Sequence, residues 1–433
     1  MLFSKPRTKF YGCGRVYRQI IQDLLTFRVH RGSAIADFES QAAKHFGMRH
    51  AIATPLARVG IYLCLKYFIK PEQYVLQSPY TLAEVINMTT STGGIPLFSD
   101  VEPNNAHLDP DKLRFQENTG CMIVTHLHGI PAEMDRIVDF AQSNNIPLIE
   151  DAAQSAGTKY QDRFVGTIGN AGVISFGILK QLNSIYGGMV LTNDATLAEF
   201  IRDELQQFRK VPLQTLLDKL LYLTRLNVMA ANPIFSWLVF PLLRYGMLND
   251  VDWINSIVKV QSNIHLKHQI DGWYQHRMSP CQARMLGGQL ENLEQADQER
   301  IQNAQRYLAG LAGIPGLLLP KITSVMRPTY AHFPIQVDDP ANLLRWFNYY
   351  GQDVVAQHFD NCAELECFSP FRTDCPEASR VAKSLVLMPT YPGFGRANID
   401  RNIGIVKRYF ELGQPAFDRR DLLDLKALAS LST

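Results

Sequence analysis

Short apolar runs alternate with amphipathic stretches between about residues 50 and 192. The apolar runs have the length of strands, and the amphipathic stretches have the spacing of helices with one buried face. This β-α-β order predicts a largely parallel sheet with helices on both faces. The predicted strands are residues 51–54, 74–77, 96–99, 121–126, 146–151, 173–176 and 188–192, and the predicted helices are residues 59–68, 82–91 and 133–144.

Two polar residues lie near the predicted carboxyl ends of these strands. Asp151 ends one strand, and Ser175 lies near the end of another. Ligands of such sheets bind beyond the carboxyl ends of the strands. This edge of the sheet is therefore where the sequence predicts a site.

A long helix is predicted to begin at Ser279. This residue suits the N-cap, Pro280 suits the first helical position, and Gln282 completes a capping box. Leucines at helical spacing follow, and beyond Pro315 the elements become shorter. We expect a large domain over residues 1–270, followed by the long helix and a small α+β domain over residues 271–433.

The composition of the chain excludes several classes of protein. The chain has 433 residues, of which 46% are hydrophobic and 19% charged, and this excludes a disordered chain. The net charge of +2 gives no strong field for nucleic acid. Seven scattered cysteines and a start without a signal-peptide core indicate a reducing compartment, so we expect a cytoplasmic protein.

A metal site is not expected. Cys362, Cys367 and Cys375 lie near His358, but their spacing matches none of the usual zinc patterns, and a polar loop is the expected structure. Two further histidines, His126 and His128, either approach the pocket or serve the structure, and the sequence leaves this open.

Residues 226–243 carry no charge over 18 positions, which is near the lower limit for a membrane span. Two prolines and several polar residues interrupt the segment. A spanning helix is therefore not expected. A buried helical hairpin is the favoured interpretation, and an apolar segment lying on a surface is the alternative.

Lys180 is the only charged residue between positions 174 and 189, and its neighbours include Ile178, Leu179 and Leu182. One interpretation is that its stem packs while the amine reaches water. The other is that the amine is desolvated and acts as a nucleophile. The residues around Lys180 allow both.

Lys180, Asp151 and Ser175 together have the chemistry required by an aldehyde cofactor with a phosphate and a pyridine ring. A lysine amine forms a Schiff base with the aldehyde, and an aspartate beside the ring nitrogen keeps it protonated, so that the ring accepts electrons from a carbanion. A hydroxyl at a strand end can bind the phosphate. The lysine, once displaced by substrate, is placed for proton transfer.

Residues 150–194 resemble the core of the DegT/DnrJ/StrS aminotransferases, which are sugar aminotransferases of fold type I. They contain EDAAQ, then SFxxxK, then Gly-Gly and a TND strand end, at the family's spacing. The resemblance covers roughly residues 25–410 with one interruption. Its further matches are PLFSDVEP at 96–103, THLHGIPAEMDRI at 125–137, RMSPCQARMLGGQLENL at 277–293 and LMPTYPGF at 387–394.

The resemblance implies residue roles. Lys180 would bond to pyridoxal phosphate, Asp151 would pair with its pyridine nitrogen, Gln154 would lie against the ring near its phenolic oxygen, and Ser175 would contact the phosphate. The family is usually a homodimer with shared active sites, in which an Asn of the partner reaches the phosphate. That position is Gln275 in this chain.

Several positions depart from the family pattern. The phosphate loop, usually Ser-Gly-Thr before a helix whose first amides hold the anion, reads Leu56, Ala57 and Arg58 here. We expect Arg58 to bind the phosphate as a charged fork. The alternative is that it only begins a surface helix.

Two further departures surround the pocket. The ring-stacking position, usually aromatic, is Leu82, with Tyr80 as a nearby alternative. Tyr186 precedes the Gly-Gly pair, where the family often has an acid. These changes affect the expected substrate more than the expected cofactor.

The interruption covers residues 208–266, a leucine- and aromatic-rich insertion. One interpretation is extra dimer surface or a cap over the active site. The other is an apolar platform for a lipid-linked substrate or a membrane surface, with peripheral contact through residues 216–245. The first is favoured by the sequence.

The predicted function is transfer of an amino group, with L-glutamate as the expected donor, to a keto group of a nucleotide-linked sugar or a related intermediate. A different pyridoxal-phosphate reaction, or a non-sugar or lipid-linked acceptor, is the first alternative. The second is a non-catalytic regulator that has kept the fold. The presence of Lys180 counts against the regulator.

Overall fold

The computed structural model describes residues 4–256, 264–356, 359–414 and 416–417. The α-helices are α1 Cys13–Leu25, α2 Ala34–Phe46, α3 Ala57–Phe68, α4 Ala83–Ser91, α5 Met134–Ser143, α6 Ala195–Gln207, α7 Leu213–Ala230, α8 Phe240–Leu248, α9 Asp252–Ser256, α10 Pro280–Leu286, α11 Leu293–Leu311, α12 Pro340–Tyr349, α13 Pro376–Ser384 and α14 Arg396–Glu411. A π-helix over Phe235–Val239 leads into α8, and short 3₁₀ helices cover Pro110–Lys112, Gly272–Tyr274, Cys362–Glu364 and Glu366–Phe371.

The strands form one large sheet and three small ones. They are β1 His50–Thr54, β2 Tyr74–Gln77, β3 Ile95–Phe98, β4 Thr119–Thr125, β5 Leu148–Asp151, β6 Lys159–Tyr160, β7 Arg163–Phe164, β8 Ala171–Ser175, β9 Gly188–Thr192, β10 Arg209–Lys210, β11 His276–Arg277, β12 Met326–Arg327, β13 Phe333–Gln336, β14 Val355–Ala356 and β15 Leu385–Met388.

The large sheet has seven strands in the order β1-β9-β8-β5-β4-β2-β3. The pairs from β3 to β8 are parallel, while β9 runs antiparallel to both β8 and β1. Each of the seven strands overlaps one predicted from the sequence, and β2 and β9 have the predicted bounds. The predicted mostly parallel α/β fold is therefore confirmed.

Both faces of this sheet are covered because its strands are apolar on both sides. Along β4, Met122 and Val124 pack into a core that includes residues of α2 and α5. The alternate residues Cys121 and Ile123 pack into a second core with residues of α3 and α6. The side-chain period of two in β4 thus separates the two layers of helices.

A second, smaller layer forms around β13, β15 and β14, which pair antiparallel. Its core contains Phe333 and Ile335 of β13, Phe347 of α12 and Tyr409 of α14. Tyr307 of α11 stacks on Phe333 with ring centroids 5.2 Å apart. The structure thus has the expected α+β layer in the C-terminal part of the chain.

The prediction of one long helix from Ser279 is wrong. The capping box of Ser279 and Gln282 is present, but α10 ends at Leu286 and α11 begins only at Leu293. Gly288 between them has φ +71°, a left-handed conformation that interrupts a helix and favours glycine. A β-carbon there would also lie 2.7 Å from Arg15 Nη1.

The predicted buried hairpin over residues 226–243 is helical but only partly buried. Phe235 and Phe240 are buried, whereas Trp237 is 72% exposed and Leu238 is 69% exposed. Among the described residues no single helix is long and apolar enough to cross a membrane. The helices over Leu213–Ala230 and Phe235–Leu248 meet that criterion only as a pair, across a bend of 76°.

Candidate active site

The carboxyl ends of β5 and β8 bring Asp151 and Ser175 to one edge of the large sheet. The two strands are parallel neighbours, with Asp151 opposite Val173, two residues before Ser175. Asp151 is 6% exposed, and one of its carboxylate oxygens accepts a hydrogen bond of 3.0 Å from the N–H of Ala153. The expected position of both residues is therefore confirmed.

A tight turn after β8 returns Lys180 to this edge. The N–H of Lys180 donates to the carbonyl of Gly177 at 2.9 Å. A β-carbon on Gly177 would lie 3.7 Å from both Ser175 Oγ and Lys180 Cγ, so the three residues are packed together. The five-residue spacing seen in the sequence therefore places the lysine beside the strand end.

These side chains line one cavity of about 590 Å³. Its lining includes Arg58, Leu82, Asp151, Gln154, Ser175 and Lys180. The cavity is large enough for a cofactor and part of a substrate, since small-molecule sites have volumes of about 300–1,000 Å³. The local sequence pattern and the cavity thus identify the same site.

Burial shifts the pKa values of Lys180 and Asp151, the two charged residues that the sequence places at the site. Burial lowers the pKa of Lys180 to about 8, with Asp151 opposing the shift and Arg58 adding to it. Burial also raises the pKa of Asp151, while the N–H of Ala153 and the charge of Lys180 oppose this. Of the two interpretations of Lys180, the desolvated amine is the one that the structure supports.

Glu150 supports the site from behind. It is fully buried, and its carboxylate accepts hydrogen bonds from the N–H groups of Gly166, Ile168 and Gly169 at 2.6–2.8 Å. His126 Nε2 lies 3.1 Å from the same carboxylate. Since Glu150 directly precedes Asp151, these four contacts fix the strand end that carries Asp151.

His126 is a structural residue. Its Nδ1 accepts a hydrogen bond of 3.1 Å from the N–H of Ala132, so Nε2 carries the proton that it shares with Glu150. The N–H of His128 donates to the side-chain oxygen of Gln154 at 3.1 Å, which orients that amide. The question left open for the two histidines is thereby answered for His126.

Arg58 lies in a network that sequence reasoning missed. Its Nη1 donates to the hydroxyl of Tyr274 at 3.0 Å and lies 3.6 Å from a carboxylate oxygen of Glu84. The Tyr274 hydroxyl donates to Glu84 at 2.8 Å, and Lys267 Nζ lies 2.9 Å from the other carboxylate oxygen. Arg58 is therefore held at the cavity wall and does not simply begin a surface helix.

The amino end of α3 lies directly on strand β9. A β-carbon on Gly188 would lie only 2.3 Å from the N atom of Ala57, so this position requires glycine. Gly188 pairs with Ser175 on one side and with Thr54 on the other. The first amides of α3, which have no partner within the helix, are thus placed beside the strand pair that ends at Ser175 and Gly188.

Three residues expected at a pocket lie outside the cavity of this chain. Tyr80 is fully buried and packs edge-on against Phe359, and it does not line the cavity, so only Leu82 occupies the position of the ring-stacking residue. Tyr186 packs with a core formed around α1 and α7 and is also absent from the cavity wall. Gln275 is exposed and outside the cavity of its own chain.

Two walls of the cavity were not predicted. The N-terminal segment contributes Arg7, Lys9 and Tyr11, and α11 contributes Arg300. Arg300 is 1% exposed, donates to Asp297 at 2.7 Å and lies 4.7 Å from the centre of the Tyr11 ring. These residues lie far from the motif in sequence, and no local pattern marks them.

The cavity fits the cofactor that the sequence predicts. A lysine of lowered pKa has more of the neutral amine that reacts with an aldehyde. The buried carboxylate of Asp151 requires a cationic partner such as a protonated ring nitrogen. The hydroxyl of Ser175, the first amides of α3 and the guanidinium of Arg58 are donors suited to a phosphate.

The cysteine cluster gives no metal site within the described part of the chain, where no group of three or more His, Cys, Asp or Glu side chains could hold a metal ion. His358, which was considered with these cysteines, lies outside the described residues.

Comparison with known proteins agrees with the geometry. The sequence model of the DegT/DnrJ/EryC1/StrS aminotransferase family matches residues 18–224 and 254–407. The Bacillus subtilis spore coat polysaccharide biosynthesis protein SpsC is 26% identical over 405 residues, which is 90% of this chain and 93% of that protein.

Solved structures share the fold. DesV of S. venezuelae, solved in complex with a ketimine intermediate, has a TM-score of 0.71 at 23% identity, over 94% of this chain and 99% of that one. DesI, solved in the presence of its TDP-sugar product, has a TM-score of 0.68 at 22% identity, over 96% of this chain and 94% of that one. This chain belongs to the DegT/DnrJ/EryC1/StrS aminotransferase family and is a pyridoxal-phosphate-dependent aminotransferase.

Proposed function

We propose that this enzyme transfers an amino group from L-glutamate to the keto group of a nucleotide-linked sugar or a related intermediate. The observation that carries the proposal is the meeting of Lys180, Asp151 and Ser175 in one cavity beside the amino end of α3. The names of two relatives support the acceptor class, because one belongs to polysaccharide biosynthesis and the other was solved with a TDP-sugar product.

In this proposal each residue has a defined task. Pyridoxal phosphate supplies an aldehyde that reacts with amines and a ring that takes up the electron pair of a substrate carbanion. Lys180 Nζ would hold the aldehyde, and its free amine would then serve as the group that accepts and returns a proton. Asp151 would hold a proton on the ring nitrogen, Gln154 would orient the ring, and Ser175 would bind the phosphate.

Leu82 and Ala57 have supporting tasks. Leu82 is the N-cap of α4 and lines the cavity, so it would cover the ring with apolar surface where an aromatic residue would stack. Ala57 is the first residue of α3, and its N–H is a donor for the phosphate. Ala57 also keeps α3 in contact with Gly188.

The lowered pKa of Lys180 predicts how fast the apoenzyme takes up pyridoxal phosphate. Only the neutral amine attacks the aldehyde, so the uptake rate rises as the pH rises through about 8 and then levels off. Stopped-flow absorbance measures this rate, with free lysine in the same buffers as the control. An uptake rate that still rises beyond pH 9, in parallel with free lysine, would contradict the assignment.

Replacing Arg58 with alanine is expected to weaken binding of pyridoxal phosphate about 10- to 100-fold, since a hydrogen bond to a charged group is worth about 1.5–3 kcal/mol. Glu84 keeps Tyr274 and Lys267 as partners, so the wall of the cavity remains folded. Absorbance titration of the apoenzyme measures the effect. Arg136→Ala, which removes a surface ion pair with Asp111, is the matched control.

Three further features belong to the proposal. The chain divides near residue 270 into a large domain and a small domain, and two copies form a homodimer with shared active sites. Gln275, exposed in the single chain, reaches the phosphate of the partner's site. The enzyme acts in the cytoplasm, which its seven unpaired cysteines support.

The test of function uses L-glutamate labelled with ¹⁵N and a set of keto nucleotide sugars. Mass spectrometry of the products is expected to show the label on the sugar, together with formation of 2-oxoglutarate. A matched reaction with the free keto sugar separates recognition of the nucleotide from recognition of the sugar. Formation of 2-oxoglutarate without any labelled sugar would overturn the acceptor class and leave the donor reaction in place.

A further inference from the structure

Helix α7 has apolar side chains on two opposite faces. Leu216, Leu220 and Leu223 pack into the core formed around α1 and α10. Leu221, Tyr222, Val228 and Met229 are exposed by 42–53%. Leu221 and Val228 are seven positions apart, as are Tyr222 and Met229, so the four side chains lie on one stripe along the helix. A helix needs only one apolar face to pack on its fold, so packing among the described residues does not account for the exposed stripe.

The segment after α7 repeats this arrangement. Phe235 and Phe240 are buried. Trp237, Leu238, Leu242 and Tyr245 are exposed by 47–72%, and the last three follow at helical spacing. Because Leu223 and Phe240 fix one face of each helix to the fold, the exposed stripes can lie on an apolar surface but cannot cross it.

The charges of α7 and of the segment after it are mostly positive. Residues 213–249 contain three cations, Lys219, Arg225 and Arg244, and one acid, Asp218, so their net charge is positive. Arg225 is exposed and lies within the apolar stripe of α7, one turn from Leu221 and from Val228. A cation among exposed leucine, tryptophan and tyrosine side chains is the composition of segments that lie in the interface of an anionic membrane.

We propose that the two exposed stripes, which we call the insertion surface, dock on a lipid bilayer that contains anionic phospholipid. Leu221, Tyr222, Val228 and Met229 of α7 and Trp237, Leu238, Leu242 and Tyr245 of the next segment enter the interface, and Arg225 pairs with lipid phosphate. Symmetric contact with a second copy fits less well, because it would bring Lys219, Arg225 and Arg244 of two insertion surfaces together with only one acid, Asp218, on each α7 to pair with them.

Two observations separate this surface from the shared features of the family. The family match omits residues 225–253, which contain most of the exposed stripes. The insertion also contacts a segment that lines the cavity, since the Ser236 hydroxyl donates to the carbonyl of Ser4 at 2.8 Å and the cavity wall begins three residues later at Arg7. Docking would therefore bring the bilayer close to an element of the active site.

The experiment is cosedimentation of the full-length holoenzyme with vesicles. We expect binding to vesicles of equal parts phosphatidylcholine and phosphatidylglycerol, weaker binding to phosphatidylcholine alone, and weakening by salt, which screens the attraction. The affinity of the double variant W237S/L238S for the vesicles is expected to fall by roughly tenfold or more. Arg225→Glu is expected to lose about tenfold on the anionic vesicles only.

The matched control is F115S/L318S, which removes two exposed apolar side chains outside the insertion and is expected to leave vesicle binding unchanged. Thermal unfolding and the cofactor absorbance of each variant verify that the fold and the active site are intact. Absence of binding to both vesicle types would overturn the proposal. If sedimentation velocity then shows that W237S/L238S dissociates an oligomer, the insertion surface is an interface between copies. Equal binding to both vesicles, unchanged by Arg225→Glu, would overturn the requirement for anionic lipid.

Discussion

Replacing Lys180 with alanine is expected to reduce transamination by more than roughly 10⁴-fold, because one substitution removes both the amine that holds the cofactor and the proton carrier. Burial lowers the pKa of Lys180 to about 8, so a much larger fraction of its amine is neutral near physiological pH than for an exposed lysine. Steady-state formation of 2-oxoglutarate from L-glutamate measures the loss.

Lys66→Ala is the control for this substitution, since Lys66 forms a surface ion pair with Glu204 outside the site. Its activity is expected to equal that of the unchanged enzyme. An added primary amine should restore part of the activity of Lys180→Ala if the lost group is a proton carrier. Retention of more than a tenth of the activity by Lys180→Ala would exclude Lys180 from both roles.

Asp151→Asn is expected to lower kcat by roughly 10²- to 10⁴-fold, because a preorganised charge at the reacting group is replaced by a neutral amide of the same shape. The amide oxygen can still accept the hydrogen bond from Ala153, so the fold is retained. The KM for the donor is expected to change much less than kcat, since the carboxylate acts on the ring and not on the donor.

Steady-state kinetics and the pH dependence of the cofactor absorbance measure this effect. The ring nitrogen is expected to lose its proton at a lower pH in Asp151→Asn than in the unchanged enzyme. Asp203→Asn, a substitution on the exposed side of α6, is the control. A loss confined to KM, with an unchanged absorbance profile, would show that Asp151 acts on the substrate and not on the ring.

The sequence predicted the part of the site that depends on short segments. Asp151, Ser175 and Lys180 lie within 30 residues of one another, and parallel pairing of β5 with β8 brings them together. The strands on either side could be predicted because they are short apolar runs, and the stretches between them have the apolar spacing of helices. The fold class and the central residues could therefore be predicted together.

Contacts between distant segments could not be read in this way. Arg58 lies 216 positions from Tyr274, and the residue type of neither shows that they share a hydrogen bond. Arg300 reaches the cavity because α11 packs over the N-terminal segment near Tyr11. Such pairs are set by the tertiary fold, and helical periodicity carries no information about them.

Two predictions were wrong for the same physical reason. The spacing of apolar residues shows which side chains can share a helix face, but not whether the helix continues or whether another element covers that face. Leu286, Leu290 and Leu293 keep helical spacing across the Gly287–Gly288 pair, yet the left-handed Gly288 ends the helix. The apolar segment over residues 226–243 was expected to be buried, but the three-dimensional fold covers only one face of each helix.

The measurement that tests the central claim most directly is borohydride reduction of the holoenzyme followed by peptide mapping with mass spectrometry. Reduction converts the bond between lysine and cofactor into a stable amine, so the modified residue can be identified. We predict that the pyridoxyl group is found on the peptide that contains Lys180, and that adding L-glutamate before reduction removes it. A label on another lysine, or no label on an enzyme that transaminates, would contradict this account of the active site.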